Sequence, residues 1–145
     1  MKIYCLGSRG IENDDLALRV GKKIAQSAIP GISEIRVTEC LRVDDLFDLI
    51  VGSPKEESLD KLQEIIFLDV AEGIRSVQLI TDLSSLYHAP LYSNHDLDMS
   101  FFITLLQKLG RIGKVSIIAI PLDLDEDAAL KQVKEKIVEL SDALS

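Results

Sequence analysis

The run Glu64 to Val70, EIIFLDV, limits the possible folds more than any other stretch of the chain. Its apolar residues are continuous rather than alternating. Alternation marks a strand with one wet face, whereas continuity predicts a strand buried on both faces, as in a parallel sheet covered by helices. Val115 to Ile120, VSIIAI, repeats the pattern near the end of the chain. A sheet of this kind needs helices between its strands, and the rest of the sequence is read with that demand in mind.

Met1 to Val20 supplies the first unit. Ile3 to Leu6 reads as a short strand, Gly7 to Gly10 as a turn, and Asn13-Asp14-Asp15 as the opening of a helix. Leu16, Val20 and Ile24 then recur every four residues, with Ala17, Ala25 and Ala28 close by, which predicts one apolar helical stripe. Pro30-Gly31 is the expected stop. Glu34 to Cys40 alternates in strand fashion, nearer a sheet edge. Val43 to Val51 reads as a short helix broken by Ser53-Pro54, and Ser58 to Gln63 as one or two helical turns. Ser76 to Leu83 is a further strand. The short step Ala71-Glu72-Gly73 predicts that it pairs with the preceding strand as a hairpin. A loop carrying Tyr87, His88, Pro90 and Tyr92 leads to Ser93-Asn94-His95-Asp96, a capping-box variant. Leu97, Phe101, Leu105 and Leu109 make the stripe of the helix that follows. After the last buried strand, Leu130, Val133, Ile137, Leu140 and Leu144 predict a final helix. The order βαβαββαβα implies one domain over 1–145, a three-layer α/β/α sandwich with a mixed five-stranded sheet and one antiparallel strand.

The 145 residues are enough to bury a real core. A formal net charge of −8 argues against nucleic-acid binding, which wants clustered Lys and Arg. No apolar run approaches the ~20 residues of a membrane span. Cys5 and Cys40 lie far apart and form no Cys-x-x-Cys, so both are expected as free, buried thiols. Together these features predict a cytoplasmic protein with no membrane partner.

Strand ends carry the chemistry in such sheets. Asp14-Asp15 follows the first strand, Asp69 closes the third, and His95 opens a later helix. Two carboxylates and an imidazole meeting in a cleft suit a divalent transition metal with open positions. Bland explanations compete. Asp at a first helical turn serves capping and the macrodipole, and a His near a helix start is commonly a surface or capping residue. Asp69 has no such structural task, because no helix follows it. Gly7-Ser8-Arg9-Gly10 lacks the spacing of a dinucleotide loop. The acidic group Asp123, Asp125, Glu126 and Asp127 lacks the Gly and distal Glu of a calcium loop and reads as a solvated helix start.

LGSRGIENDDLALRV, IIFLDVAEG, SNHDLDMSFFITLLQKLG and VSIIAIPLD, in that order and spacing, resemble the maturation endopeptidases of nickel–iron hydrogenases. The resemblance spans nearly the whole chain. It implies a metal-binding trio on Asp15, Asp69 and His95, which serve as the catalytic and metal residues, with Asp14 as a cap or supporting group. It implies nickel carried by the substrate. That substrate is the precursor of a hydrogenase large subunit, whose C-terminal tail is removed. The loops around Arg9-Gly10, Thr38 to Leu41 and Gly73 to Ser76 depart from the family pattern. They motivate a second reading, a non-catalytic metal-dependent chaperone or adaptor on the same scaffold. A flavodoxin-like nucleotide-binding module is a third, resting on fold analogy alone.

Overall fold

The computed structural model describes residues 1–7, 14–40, 65–82, 108 and 114–144. Five strands and two helices are described: β1 (Lys2–Leu6), α1 (Leu16–Ala25), β2 (Arg36–Cys40), β3 (Ile65–Ala71), β4 (Gln78–Ile80), β5 (Val115–Pro121) and α2 (Glu126–Leu144). The strands form one sheet in the order β2-β1-β3-β5-β4. β1 pairs in parallel with β2 and β3, β3 in parallel with β5, and β4 antiparallel with β5. The expected mixed five-stranded α/β sheet with one antiparallel strand is present. The helices expected over Val43 to Val51 and from Ser93 onward lie outside the described residues.

The two continuous apolar runs occupy the middle of the sheet. Every residue of β3 and β5 is buried, as a strand covered on both faces requires. Alternation divides their side chains. Ile3, Cys5, Ile66, Leu68, Val70, Ile118 and Ile120 face one side and pack with Leu16, Val20 and Ile24 of α1 and Val133, Ile137 and Leu140 of α2. Tyr4, Leu6, Phe67, Ala71, Ile117 and Ala119 face the other side and are equally buried. Burial of both faces accords with a three-layer sandwich, in which α1 and α2 form one outer layer. Each large apolar side chain so covered contributes about 1.5–3 kcal/mol. Among the described residues β2 pairs only with β1, which is the expected edge position, and its outer residues are correspondingly exposed or half-buried.

Two expectations are corrected. β4 does not pair with β3. Both edges of β3 are already taken by β1 and β5, so β4 crosses β5 and takes the free edge beyond it. The connection is Glu72 to Val77, because the strand starts two residues later than its alternation implies. Six extended residues span about 20 Å, ample for two strand spacings of ~4.8 Å. Gly73, at φ 82°, turns the chain, and the Val77 N–H donates to Gln132 Oε1 of α2 at 2.9 Å. The first helix also ends at Ala25 rather than at Pro30-Gly31. Ser27 Oγ donates to the Lys23 carbonyl at 2.6 Å and the Ser27 N–H to the Ile24 carbonyl at 3.0 Å, which closes the last turn early. Ala25 and Ala28 are exposed, so the buried stripe is Leu16, Ala17, Val20 and Ile24.

Candidate functional site

The site is built at the carboxyl rim of β1 and β3. β1 ends at Leu6, and Gly7 carries the chain out of the sheet. A Cβ on Gly7 would lie 2.5 Å from the Asp14 carbonyl oxygen and 3.1 Å from Leu18 Cγ. Only glycine lets the start of α1 press so closely on the end of β1. One turn on, a Cβ on Gly21 would collide with Cys5 Sγ, so a second glycine keeps α1 flush with the same strand. The Cys5 thiol fills this contact. Burial, then the neighbouring Cys40 and Glu39, pushes its pKa from 9.0 to about 12. Cys5 and Cys40 are both buried thiols outside any disulfide, as expected.

Asp69 stands on the same rim. The last β1–β3 pair is Cys5 with Leu68, so Asp69 is one step beyond it, level with Leu6, and it pairs with Ala119 of β5. Two residues of β3 follow it, so it lies inside the strand rather than at its end. It is 6% exposed, and its Oδ1 accepts the Val70 N–H at 2.9 Å. By alternation it shares the Tyr4 and Phe67 face of the sheet, opposite α1 and α2.

The acidic pair splits. Asp14 is 6% exposed, and among the described residues its carboxylate has no hydrogen-bond or ion-pair partner. Asp15 is the N-cap residue of α1, yet its side chain caps nothing. Its Oδ1 instead accepts from Arg19 Nε at 3.2 Å. Arg19 Nη1 also donates to Glu126 Oε2 at the start of α2, and Lys23 Nζ lies 2.8 Å from Glu126 Oε1 and 3.5 Å from Asp127 Oδ1. The Lys23 hydrogen bond, with Arg19 behind it, holds the Glu126 carboxyl below its ordinary range, and Lys23 is raised in return. The acidic start of α2 is therefore a charge-paired helix start. Asp125 caps it by accepting the Ala128 N–H at 3.2 Å.

Of the expected trio, Asp15 and Asp69 are described, and His95, like His88, lies outside the described residues. Among the described residues no three His, Cys, Asp or Glu side chains cluster as a metal site. Sequence reasoning missed Arg19 as the group that engages Asp15. The available signal was their four-residue spacing on α1. Asp14, expected as a capping or supporting group, is the more buried of the two acids.

A scan against protein-family models finds no match, and neither does a search of curated proteins. Solved structures do match. The chain is similar to the NiFe hydrogenase maturation protease HybD from Thermococcus kodakarensis, at 17% identity and a TM-score of 0.65 over 97% of this chain and 99% of that one. It is similar to the hydrogenase maturating endopeptidase HybD from E. coli, at 14% identity and a TM-score of 0.61 over 96% and 93%. The endopeptidase HycI from Escherichia coli aligns at 14% identity with a TM-score of 0.64 over 94% and 88%. Along essentially its whole length, the chain has the fold of the nickel–iron hydrogenase maturation proteases.

Proposed function

We propose that the chain is an endopeptidase that removes the C-terminal tail of a nickel-loaded hydrogenase large-subunit precursor. The observation that carries this reading is the placement of the Asp14-Asp15 turn and Asp69 on one carboxyl rim of a sheet with the hydrogenase maturation protease fold. Ligands gather at that rim in open α/β sheets. Carboxylates held out of water at that rim suit a divalent cation, because burial makes their charge costly and a cation lowers that cost.

Nickel arrives with the substrate. Asp15, Asp69 and His95 would hold it, since carboxylate and imidazole donors both suit nickel. Bound there, the metal supplies Lewis-acid polarisation of the scissile carbonyl. Asp69, 6% exposed on this rim and accepting the Val70 N–H on Oδ1, is the carboxylate assigned general-base duty toward water. The net charge of −8 disfavours nucleic-acid partners, and among the described residues no helix is long and apolar enough to cross a membrane. A cytoplasmic setting follows from the proposed substrate.

The test is incubation with a nickel-loaded precursor, with the large subunit weighed by mass spectrometry. A shortened subunit is expected. A full-length subunit, with nickel confirmed present, rejects the enzyme. The divergent loop Gly73 to Ser76, which leaves β3 just beyond Asp69 and turns at Gly73, favours a second reading as a metal-dependent chaperone or adaptor. It predicts a stable complex in a pull-down whose partner keeps its C-terminus, and a trimmed partner excludes it.

A further inference from the structure

The crossover Glu72 to Val77 is fastened along its length. Where the chain leaves β3, the Leu122 N–H donates to the Ala71 carbonyl at 3.2 Å. Gly73, at φ 82°, turns it. Ile74 packs, half-buried, on the Tyr4 and Phe67 face of the sheet. Val77 is buried on the other face and donates its N–H to Gln132 Oε1 at 2.9 Å. The crossover therefore arches past the end of β5. It leaves from Ala71, two residues beyond Asp69, and lands on Gln78, which pairs with the same Ala119 that pairs with Asp69.

Arg75 stands exposed in this arch and has no hydrogen-bond or ion-pair partner among the described residues. Gly73, Ile74 and Val77 hold the arch without it. Its charge is also the reverse of its surroundings. The described residues that leave the carboxyl ends of β1, β3 and β5 are Gly7, Asp14-Asp15, Glu72 to Val77 and Leu122 to Asp125. Among them Arg75 is the one cation, against Asp14, Asp15, Glu72, Asp123 and Asp125. Arg19, one turn into α1, is already bound to Asp15 and Glu126. A rim of this sign repels a peptide carboxylate. A guanidinium on the rim reverses that locally, because it stays charged and offers a planar fork of N–H donors that matches a carboxylate.

We propose that Arg75 is a specificity-determining residue: it receives a carboxylate of the precursor's C-terminal tail, from an acidic side chain or from the chain terminus, and so lays the tail across the rim. The assignment rests on the hydrogenase precursor as partner and adds the chemistry by which its tail is held. Arg75 lies in the loop that departs from the family pattern, so this contact distinguishes the chain's own substrate.

The experiment measures the affinity of the nickel-loaded precursor for the wild-type chain, R75Q, R75K and R75E, with a thermal melt of each. Affinity is read as a dissociation constant, or as KM where the tail is cut, with kcat expected to stay unchanged. The precursor is supplied full-length, with the tail's Asp and Glu changed to amides, with a Gly-Ser extension that carries the terminal carboxylate away, and with the tail deleted. R75Q should bind the full-length precursor roughly threefold to tenfold more weakly, between the scale of an exposed ion pair and that of a charge-assisted fork. R75K should recover part of the loss, because an ammonium lacks the fork, and R75E should bind more weakly still. The melting temperatures should match, because Arg75 is exposed and unpaired. The difference between wild type and R75Q should shrink in high salt. If the amide tail removes that difference, an acidic side chain is the group received; if the extended tail removes it, the terminus is. Equal affinity of wild type and R75Q for the full-length precursor overturns the proposal. So does a difference that persists on the tail-deleted form. Trimming is scored separately by mass. Binding through Arg75 without trimming removes the peptidase and keeps the proposal, whereas trimming with one KM for wild type and R75Q does the reverse. A wild-type chain that binds no precursor overturns both.

Discussion

Single atoms decide how closely α1 approaches the sheet. The Gly21 Cα sits over Cys5 Sγ, and Val37 Cγ1 would be 3.3 Å from an added Cβ. Gly21→Ala gains about 1 kcal/mol of helix propensity. Against it stands overpacking, which costs roughly 1–3 kcal/mol in a core that cannot shift. Here the obstructing sulfur belongs to a fully buried strand residue, so overpacking wins. Urea unfolding of Gly21→Ala should show a net loss. Adding Cys5→Ala, which removes the sulfur, should recover at least half of it. A double variant no more stable than Gly21→Ala alone would show that the clash lies elsewhere.

At the level of elements, the turn between β1 and α1 is held from two sides. Gly7 sets it against the strand, and the Asp15–Arg19–Glu126–Lys23 chain sets it against α2. Gly7→Ala would drive a Cβ to 2.5 Å from the Asp14 carbonyl oxygen, which is backbone and cannot swing aside. The expected result is a loss of roughly 1–3 kcal/mol, together with weaker nickel binding, measured by urea unfolding and calorimetry. Wild-type nickel affinity in this variant would show that the turn is not part of the site. The ion pairs behave differently. Glu126→Gln should cost at most about 1 kcal/mol, because the partly exposed pairs are screened by solvent. The sign of its pH dependence follows from the lowered Glu126 pKa. The contribution is present above the ordinary carboxyl value of 4.5 and is lost as pH falls through the depressed folded value. Urea curves of wild type and Glu126→Gln should therefore differ at neutral pH and converge in acid. A gap that persists in acid would mean that Glu126 acts through packing rather than charge.

Across the whole molecule, what was legible in the sequence is what burial dictates locally. EIIFLDV and VSIIAI declared central strands because burial on both faces leaves no room for polar alternation, and β3 and β5 occupy that place. Asp69 stands out in the sequence for the same reason, as a carboxylate inside an apolar run, and it is buried within β3. The partner of β4 was not legible. Pairing depends on which strand edges are already filled, and β1 and β5 fill both edges of β3. Nor was the ion-pair network that takes in Asp15, because Arg19, which engages it, also reaches Glu126, 107 residues away in sequence. The resemblance read from ordered motifs holds at the level of fold, with coverage above nine-tenths of this chain and of the HybD structures from both organisms.

The central claim is that this rim recognises nickel in a hydrogenase precursor and that recognition leads to cleavage. The most direct test compares nickel-loaded and nickel-free precursor, each incubated with the wild-type chain and with Asp69→Asn, and weighs the intact large subunit. The account predicts loss of a C-terminal peptide only from the nickel-loaded precursor, and only with the wild-type chain. Cleavage that ignores nickel, cleavage that survives Asp69→Asn, or a subunit of unchanged mass in every arm would contradict it.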